Sequence, residues 1–384
     1  MIPTRERCET LPFAIRSALG QETRDLQVLV SDNQSTDATP EIVRGFADPR
    51  LTYVRAPRRM PMSEHWDFAL EHADGKYVTF IGDDDAVMPG GIDRLLELMS
   101  RLPSDVYTWP RDGYVWPMNG RPGRLEYIAS LGAPFTFELP TLARKIARRG
   151  GWNWGRLPCL YHSLVRRQIT EEMKRKAGRV FDSLAPDIFT AFTLPALAER
   201  AVNVGRGITV SGYSPKSFGG AVRGGRTRVR ILDQFIAEYG GFQLHPRLFP
   251  GIPELMNELP DALLKAMDAY PELYRGINVD FNLMWIAILR MAKGFGLSLA
   301  LNEVIRRRRE IARYHSLSPI RLALYSTFPF QRLSGLWSFA KYQRHLRTNP
   351  LKDLAKAAPA NIYDLVREID ARLCRIGAES GSPA

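Results

Sequence analysis

Over its first hundred residues the chain alternates short apolar runs with stretches of helical periodicity, and this rhythm restricts the fold more than any other feature. "CETLPFAIRSALGQ" sets Leu11, Ile15, Ala18 and Leu19 on one helical face, and Gly20 follows as a stop. "LQVLVSD" is a short apolar strand ending in Asp32. "DATPEIVRGF" offers Thr39 as an N-cap with Pro40 at the first helical position. "LTYVR" reads as a strand. "SEHWDFALEHADG" spaces Trp66, Ala69, Leu70 and Ala73 as a helix that stops at Gly75. "KYVTFIG" is the next strand, and Ile92, Leu95, Leu96 and Met99 mark the helix after it. Such alternation predicts a mostly parallel α/β sheet with crossover helices. Ligands of these sheets sit beyond the carboxyl ends of the strands. Asp32 falls at one such end. The acids of "YVTFIGDDDAVMPGG", Asp83, Asp84 and Asp85, fall at another, where three adjacent carboxylates are either a solvated acidic turn or the place of a cation that relieves their repulsion.

From about Leu102 the alternation fades into a Trp-, Pro- and Gly-rich stretch, "YTWPRDGYVWPMNGRPG", and then a basic helical one, "TLARKIARRG". From roughly Arg223 the pattern is mostly helical. The expected division is an α/β domain over 1–220, with halves 1–101 and 102–220, a helical region over 221–376, and a disordered tail over 377–384. The 384 residues, 45% hydrophobic and 24% charged, suit a soluble globular protein of this size. Three scattered cysteines without a CxxC pair point to a reducing compartment and no structural zinc. The opening MIPTRER is too polar for a signal peptide. The most membrane-like stretch, "NLMWIAILRMAKGFGLSLAL", carries Arg290 and Lys293 in its middle and reads as a buried or interfacial helix.

Four motifs in order resemble the inverting family-two nucleotide-sugar glycosyltransferases of the GT-A (Rossmann-like) fold. "IPTRER" is similar to IPTYNR, and "SALGQE" to SVLAQT. "LVSDNQSTDAT" is similar to VVDDGSTDGT, and "GKYVTFIGDDDAVMPGGI" to GEYIAFLDDDDLLLPGAL. The resemblance covers about one hundred residues and implies metal-assisted transfer of a sugar from a nucleotide diphosphate sugar to an acceptor hydroxyl. Family members usually have several apolar residues before IPT, whereas this chain begins at Met1, so its first strand is expected to be very short, or its assigned start to lie inside the natural one.

Recognising such a donor needs a partner for the base, neutralisation of the diphosphate, and support for the departing phosphate. The resemblance gives Asp32 the base, with Ser31 and Asn33 shaping the turn, and lines the nucleoside with Pro3, Thr4 and Glu6. It sets Asp83 near the ribose and makes Asp84 or Asp85 the ligand of Mn²⁺ or Mg²⁺, hard cations that prefer carboxylate oxygen. The family often has an acid where this chain has Gly82, which leaves the choice between Asp84 and Asp85 open. Arg55, Arg58 and Arg59 follow the third strand and either meet phosphate oxygens or lie on the surface. Trp66 reads as core.

Inverting transfer also needs a general base. "FDSLAPDIFTAFTL" offers Asp187 first and Asp182 second, against the alternative of a helix N-terminal acid stabilised by the dipole. The loop with Lys216 in "NVGRGITVSGYSPKSFGG" either closes over the diphosphate or is plain surface. In "GWNWGRLPCLYHSLVRR", Trp152, Trp154 and His162 are acceptor-site candidates, with packed aromatics as the alternative.

The resemblance further implies bacterial surface-polysaccharide or glycolipid assembly, a glycan or lipid-linked acceptor and a cytoplasmic setting. The net charge of +12, with Arg306 to Arg309 its densest run, suits peripheral docking on the anionic inner face of the cell membrane. A nucleic-acid-binding protein would use the same charge, but no aromatic-interleaved basic motif is present and the acids would repel phosphate, so no nucleic acid is expected. A dinucleotide oxidoreductase needs a Gly-rich first turn, which "PTRERCETLPF" lacks. A catalytically silent scaffold is the remaining alternative; acids at all three expected places speak against it.

Overall fold

In the computed structural model, residues 1–127, 131–217, 219–220, 237, 243–250, 254–294, 298–317, 349 and 351–380 are described. The first three strands, β1 (Ile2–Thr4), β2 (Val28–Asp32) and β3 (Leu51–Arg55), pair in parallel in the order β1-β2-β3, with Thr4 opposite Asp32 and Asp32 opposite Arg55. Helices α1 (Leu11–Leu19), α2 (Thr39–Arg44) and α3 (Met62–Glu71) supply the crossovers. Thr39 is the first residue of α2 rather than its cap. The Asp37 carboxylate takes its N–H at 3.0 Å, and Pro40 sits in the first turn, where no donor is missed.

The sheet continues past β1 through the run that ends in the acids. The Ile81 N–H donates to the Met1 carbonyl, the Phe80 N–H to Leu160, and the His162 N–H back to Phe80. Beyond this junction pairing turns mixed. The order β4 (Tyr77–Val78), β10 (Ser163–Arg166), β6 (Val106–Thr108), β11 (Arg200–Asn203), β9 (Phe135–Glu138) is antiparallel except between β6 and β11. A second mixed sheet runs β5 (Ala86–Val87), β12 (Thr209–Tyr213), β7 (Asp112–Val115), β8 (Arg124–Tyr127). Parallel order therefore holds where the alternation is regular and ends where the alternation fades. The α/β class is as expected, with helices α4 (Gly91–Arg101), α5 (Leu139–Arg148), α6 (Arg167–Ala177) and α7 (Pro186–Thr193) covering the sheets.

The C-terminal part is helical, as expected, but among the described residues its helices share cores with the first 220. Helix α8 (Glu258–Ala269) packs on α7, and Leu259, Leu263 and Leu264 join Ile188, Phe189 and Phe192 in one apolar cluster. Helices α9 (Phe281–Gly294) and α10 (Ser298–Arg306) take up the described parts of the membrane-like stretch; Met284, Trp285, Ile288 and Leu289 are buried against that cluster. No described helix is long and apolar enough to cross a membrane. The last helix, α11 (Ile362–Ser380), returns to the second sheet, where Ile362, Leu365, Val366 and Ile369 pack on Ala86, Tyr114, Trp116 and Val210. It also runs through 377–380, which were expected to be disordered; 381–384 lie outside the described residues.

This shared burial makes a prediction. Leu365 is fully buried, so Leu365→Ala should cost about 2–5 kcal/mol. Calorimetry should show one transition lowered as a whole. Two transitions, with only the smaller one moved, would mean that the C-terminal helix belongs to a separate unit.

Candidate active site

The carboxyl edges of β1 and β2 and the end of the 77–81 run bring Thr4, Asp32 and the acid triplet to one rim. Asp83, Asp84 and Asp85 are 8%, 4% and 0% exposed, so this is no solvated acidic turn. Each acid is held differently. Asp83 Oδ2 accepts from the Thr4 hydroxyl at 2.8 Å, with Arg7 Nε at 3.9 Å. Asp84 Oδ2 accepts the Ser214 N–H at 2.8 Å, and its backbone carbonyl accepts the Trp116 indole N–H at 2.9 Å.

Asp85 takes far more. Its Oδ1 accepts the Gly212 N–H at 2.6 Å; its Oδ2 accepts the Gly82 N–H and the Tyr161 hydroxyl at 2.5 Å, with His162 Nε2 at 3.0 Å. Burial pushes its carboxyl up, but His162, the Tyr161 hydroxyl and the Gly212 N–H outweigh this and hold it below the usual range. For Asp83 and Asp84 burial wins: both are pushed up, Asp84 to about 7, with Asp85 and Asp83 adding repulsion at Asp84.

One proton arrangement that satisfies the groups behind Asp85 starts at Trp109. The Trp109 indole can only donate, and it donates to Thr209 Oγ1 at 2.7 Å. Thr209 Oγ1 lies 2.6 Å from His162 Nδ1, while His162 Nε2 faces Asp85 Oδ2 at 3.0 Å and Ser211 Oγ at 3.2 Å; with the proton on Nε2 the neutral ring donates to Asp85 and accepts from Thr209. Burial lowers the His162 pKa, in keeping with this neutral ring. The His162 backbone is left-handed, with φ at 59°, a conformation a non-glycine residue keeps only when its surroundings enforce it.

Glycine at 82 has a local explanation. A Cβ there would stand 2.9 Å from both Asp85 Oδ2 and the Tyr161 hydroxyl, so tyrosine oxygen fills the space a side chain would need. Gly212 is stricter still, since a Cβ would lie 1.7 Å from the Asp84 carbonyl oxygen.

Among the described residues no group of three or more His, Cys, Asp or Glu side chains is arranged to hold a metal ion. Asp83 and Asp84 nonetheless fit one half of a site for a hard divalent cation. Such ions are bound through one or two carboxylates together with substrate phosphates rather than by an all-protein cage. Asp85, expected as an alternative ligand, has both oxygens engaged by protein donors in this conformation.

Of the residues expected to line a nucleoside, Thr4, Asp32 and Asn33 are buried and Pro3 and Glu6 half-buried. Asp32 is fully buried; Ser35 N–H binds its Oδ1 at 2.8 Å, the Tyr53 hydroxyl its Oδ2 at 2.7 Å, and Arg55 Nη1 lies 3.5 Å away. In this conformation both of its oxygens face protein. Asn33 clamps the backbone of Met60 in both directions, and Glu6 grips the 36–37 turn through Thr36 and Asp37. Pro3 lies in β1 beside them. Arg55 faces this rim, whereas Arg58 is exposed and bound to Glu64. Lys216 pairs with Glu9 at 2.7 Å and Arg7 Nη1 donates to Ser214 Oγ at 3.3 Å, so the 214–217 loop lies on the β1–α1 connection beside Asp84.

A cavity of about 250 Å³ opens between β6 and the 155–163 segment. It is lined by Trp109, Arg111, Leu157, Cys159, Tyr161 and His162 among others. His162, expected to meet an acceptor, contributes a wall while its ring nitrogens bind Asp85 and Thr209. Trp152 and Trp154 are half-buried against the cluster around α7 and α8 instead of lining the cavity. Trp66 is core, stacked on Phe80 and Tyr161 at 5.0 and 5.7 Å. Asp187 opens α7, half-buried, its carboxyl pushed up by burial. Asp182 lies apart, 3.6 Å from Arg179 and 3.8 Å from Lys265.

In open α/β sheets ligands sit beyond the carboxyl ends of the strands, the rim where Asp32 and the acid triplet lie. Residues 1–173 match the model of Glycosyl transferase family 2, and that segment belongs to the family. Over 100 residues the chain is 31% identical to the GalNAc(5)-diNAcBac-PP-undecaprenol beta-1,3-glucosyltransferase of Campylobacter jejuni, covering 25% of this chain and 32% of that one. Over 89 residues it is 33% identical to the succinoglycan biosynthesis protein ExoO of Rhizobium meliloti, covering 23% and 26%. The chain thus spans about a third or less of these curated relatives. Among solved structures it is similar to S. aureus TarS 1–349 in complex with UDP-GlcNAc (TM-score 0.47, 15% identity, 80% of this chain and 90% of that one). A second is the mannosyltransferase PcManGT of Pyrobaculum calidifontis with GDP-Man and Mn²⁺ (TM-score 0.40, 17% identity, 88% and 86%). At these identities neither assigns a chemistry to this chain.

Behind Asp187, buried Glu258 opens α8, its carboxyl pushed up from 4.5 to about 8 by burial and by the Asp187 charge. A folded-state value above the unfolded one means stability is highest below 4.5 and falls as pH rises towards 8. Glu258→Gln, neutral and of the same shape, should melt like the parent at pH 5 and several degrees higher at pH 8.5. Equal melting temperatures of the two proteins at pH 8.5 would contradict a strained Glu258.

Proposed function

We propose that this protein is an inverting glycosyltransferase that moves a sugar from a nucleotide diphosphate sugar to an acceptor hydroxyl in bacterial surface-polysaccharide or glycolipid assembly. The observation that carries it is the uneven treatment of three adjacent acids. Asp85 is neutralised by protein donors, while Asp83 and Asp84 stay buried beside one another with Arg7 as the nearby cation. Buried charge of that kind needs a partner, and the diphosphate rim of a family-two segment is where a divalent cation, Mn²⁺ or Mg²⁺, meets one.

The residues divide the work. Thr4 and Ser214 orient Asp83 and Asp84, which would hold the cation. When bound, the cation supplies Lewis-acid stabilisation of charge on the leaving diphosphate. The Asp32 rim, with Pro3, Thr4, Glu6 and Asn33 beside it and Arg55 closing it, cradles the nucleoside. Tyr53 must swing aside for Asp32 to accept from a base N–H. Arg58 is placed at the outer edge. Asp187 accepts the proton of the attacking hydroxyl, and its raised carboxyl brings it nearer the working pH of a general base. Asp182 is the weaker choice, since Arg179 and Lys265 stand beside it. Trp152 and Trp154, half-buried on the α7–α8 cluster, are the weaker acceptor candidates. Arg306 and Arg307 pair with Glu303 and Glu310, yet the segment keeps a basic surplus for an anionic membrane surface.

A donor panel scored by nucleotide release and thermal shift tests the reading. At least one nucleoside diphosphate should stabilise the protein more with Mn²⁺ than without; no metal-dependent stabilisation by any of them would end it. Asp187→Asn should lower kcat by about 10²–10⁴-fold with donor affinity unchanged. The parent kcat should fall on acidification through a pKa above 3.8. Full turnover by the variant would place the base elsewhere.

A further inference from the structure

The cavity beside the acid triplet is unused by the donor residues, yet it shares a wall with them. Tyr161 binds Asp85 through its hydroxyl and lines the cavity with its ring, and His162 does the same from its neighbouring position. The opposite wall is Thr108, Trp109, Pro110 and Arg111, where the chain leaves β6. Arg111 makes this cavity unlike an apolar packing defect. Its charge acts on Tyr161, His162 and Cys159 of the cavity wall, and also on Asp187 at the start of α7. The space therefore adjoins the acid triplet through Tyr161 and His162, with Arg111, Trp109 and Tyr161 among its lining residues.

At about 250 Å³ the volume is just under the range of small-molecule pockets and fits a single sugar ring or a sugar with one small substituent. Guanidinium recognises carboxylate and phosphate through paired N–H groups, and aromatic side chains meet the apolar face of a ring. We infer that this cavity is an acceptor subsite for a sugar bearing an anionic group, phosphate or carboxylate, with Arg111 as the residue that selects the anion. The inference rests on the glycosyltransfer reading and narrows its acceptor to an anionic class.

The test uses the full chain and hydrogen–deuterium exchange, which separates the two sites by position. Glucose 1-phosphate, glucuronate and methyl glucoside are the probes, and the peptides covering 106–113 and 155–164 report on the cavity. At least one of the two anionic sugars should protect these peptides, and which one does tells phosphate from carboxylate. Methyl glucoside should bind about tenfold more weakly or worse, the difference of one charge-assisted pair. Arg111→Gln should lose the anion preference by the same factor, and Arg111→Lys should keep most of it. Equal protection by methyl glucoside, unchanged anion binding in Arg111→Gln, or no protection by any probe would overturn the inference. Nucleoside diphosphate with Mn²⁺, read on the peptides covering 29–37 and 80–88, is the control. If it protects while the cavity probes fail, the acceptor subsite alone is lost. If it fails as well, the glycosyltransfer reading goes with it.

Discussion

The rim of this molecule depends on how one buried carboxylate is satisfied. Asp85 has no contact with water, and an ionised group there is tolerated only because two backbone N–H groups, a tyrosine hydroxyl and a histidine ring meet it. Those donors come from far along the chain, so binding Asp85 draws β12, the strand leading to β10 and the end of the 77–81 run into one place. Removing any one donor would leave the others around an underpaired charge. The neighbours Asp83 and Asp84 inherit the consequence: fixed by this anchor, they are left at the rim with their own charges to satisfy.

The same chain of contacts joins the acid rim to the cavity. Trp109, Thr209 and His162 pass hydrogen bonds to Asp85, and Trp109, His162 and Tyr161 are also cavity walls. A ligand in the cavity would therefore press on the residues that set the triplet. The C-terminal helices act from behind, with α8 bringing Glu258 against Asp187 and α11 covering the sheet that carries Gly212 and Trp116.

Much of the first hundred residues was legible because local rules decide them. Alternating periodicity placed the strands and crossovers, and the strand ends placed Asp32 and the triplet. Trp66 at helical spacing was correctly core. What escaped has no local mark. Tyr161, Thr209 and Gly212 lie about 75 to 130 residues from the acid they serve, and nothing in their own neighbourhoods announces an acid partner. His162 stood out in an aromatic-rich stretch, but its ring is turned to Asp85 by a left-handed backbone that no sequence pattern shows. Arg55 and Arg58 read alike in sequence, and only the register opposite Asp32 separates them. The mixed pairing beyond β4 was hidden for the same reason, since strands from distant segments fill positions that no alternation foretells.

Anomalous diffraction from a crystal grown with Mn²⁺ and a nucleoside diphosphate tests the anchoring of Asp85 most directly. The expected result is a manganese peak bonded to carboxylate oxygen of Asp83 or Asp84 and to the diphosphate, with Asp85 still held by Gly212, Tyr161 and His162. A peak on Asp85, with Tyr161 and His162 displaced from it, would contradict the division of labour among the three acids.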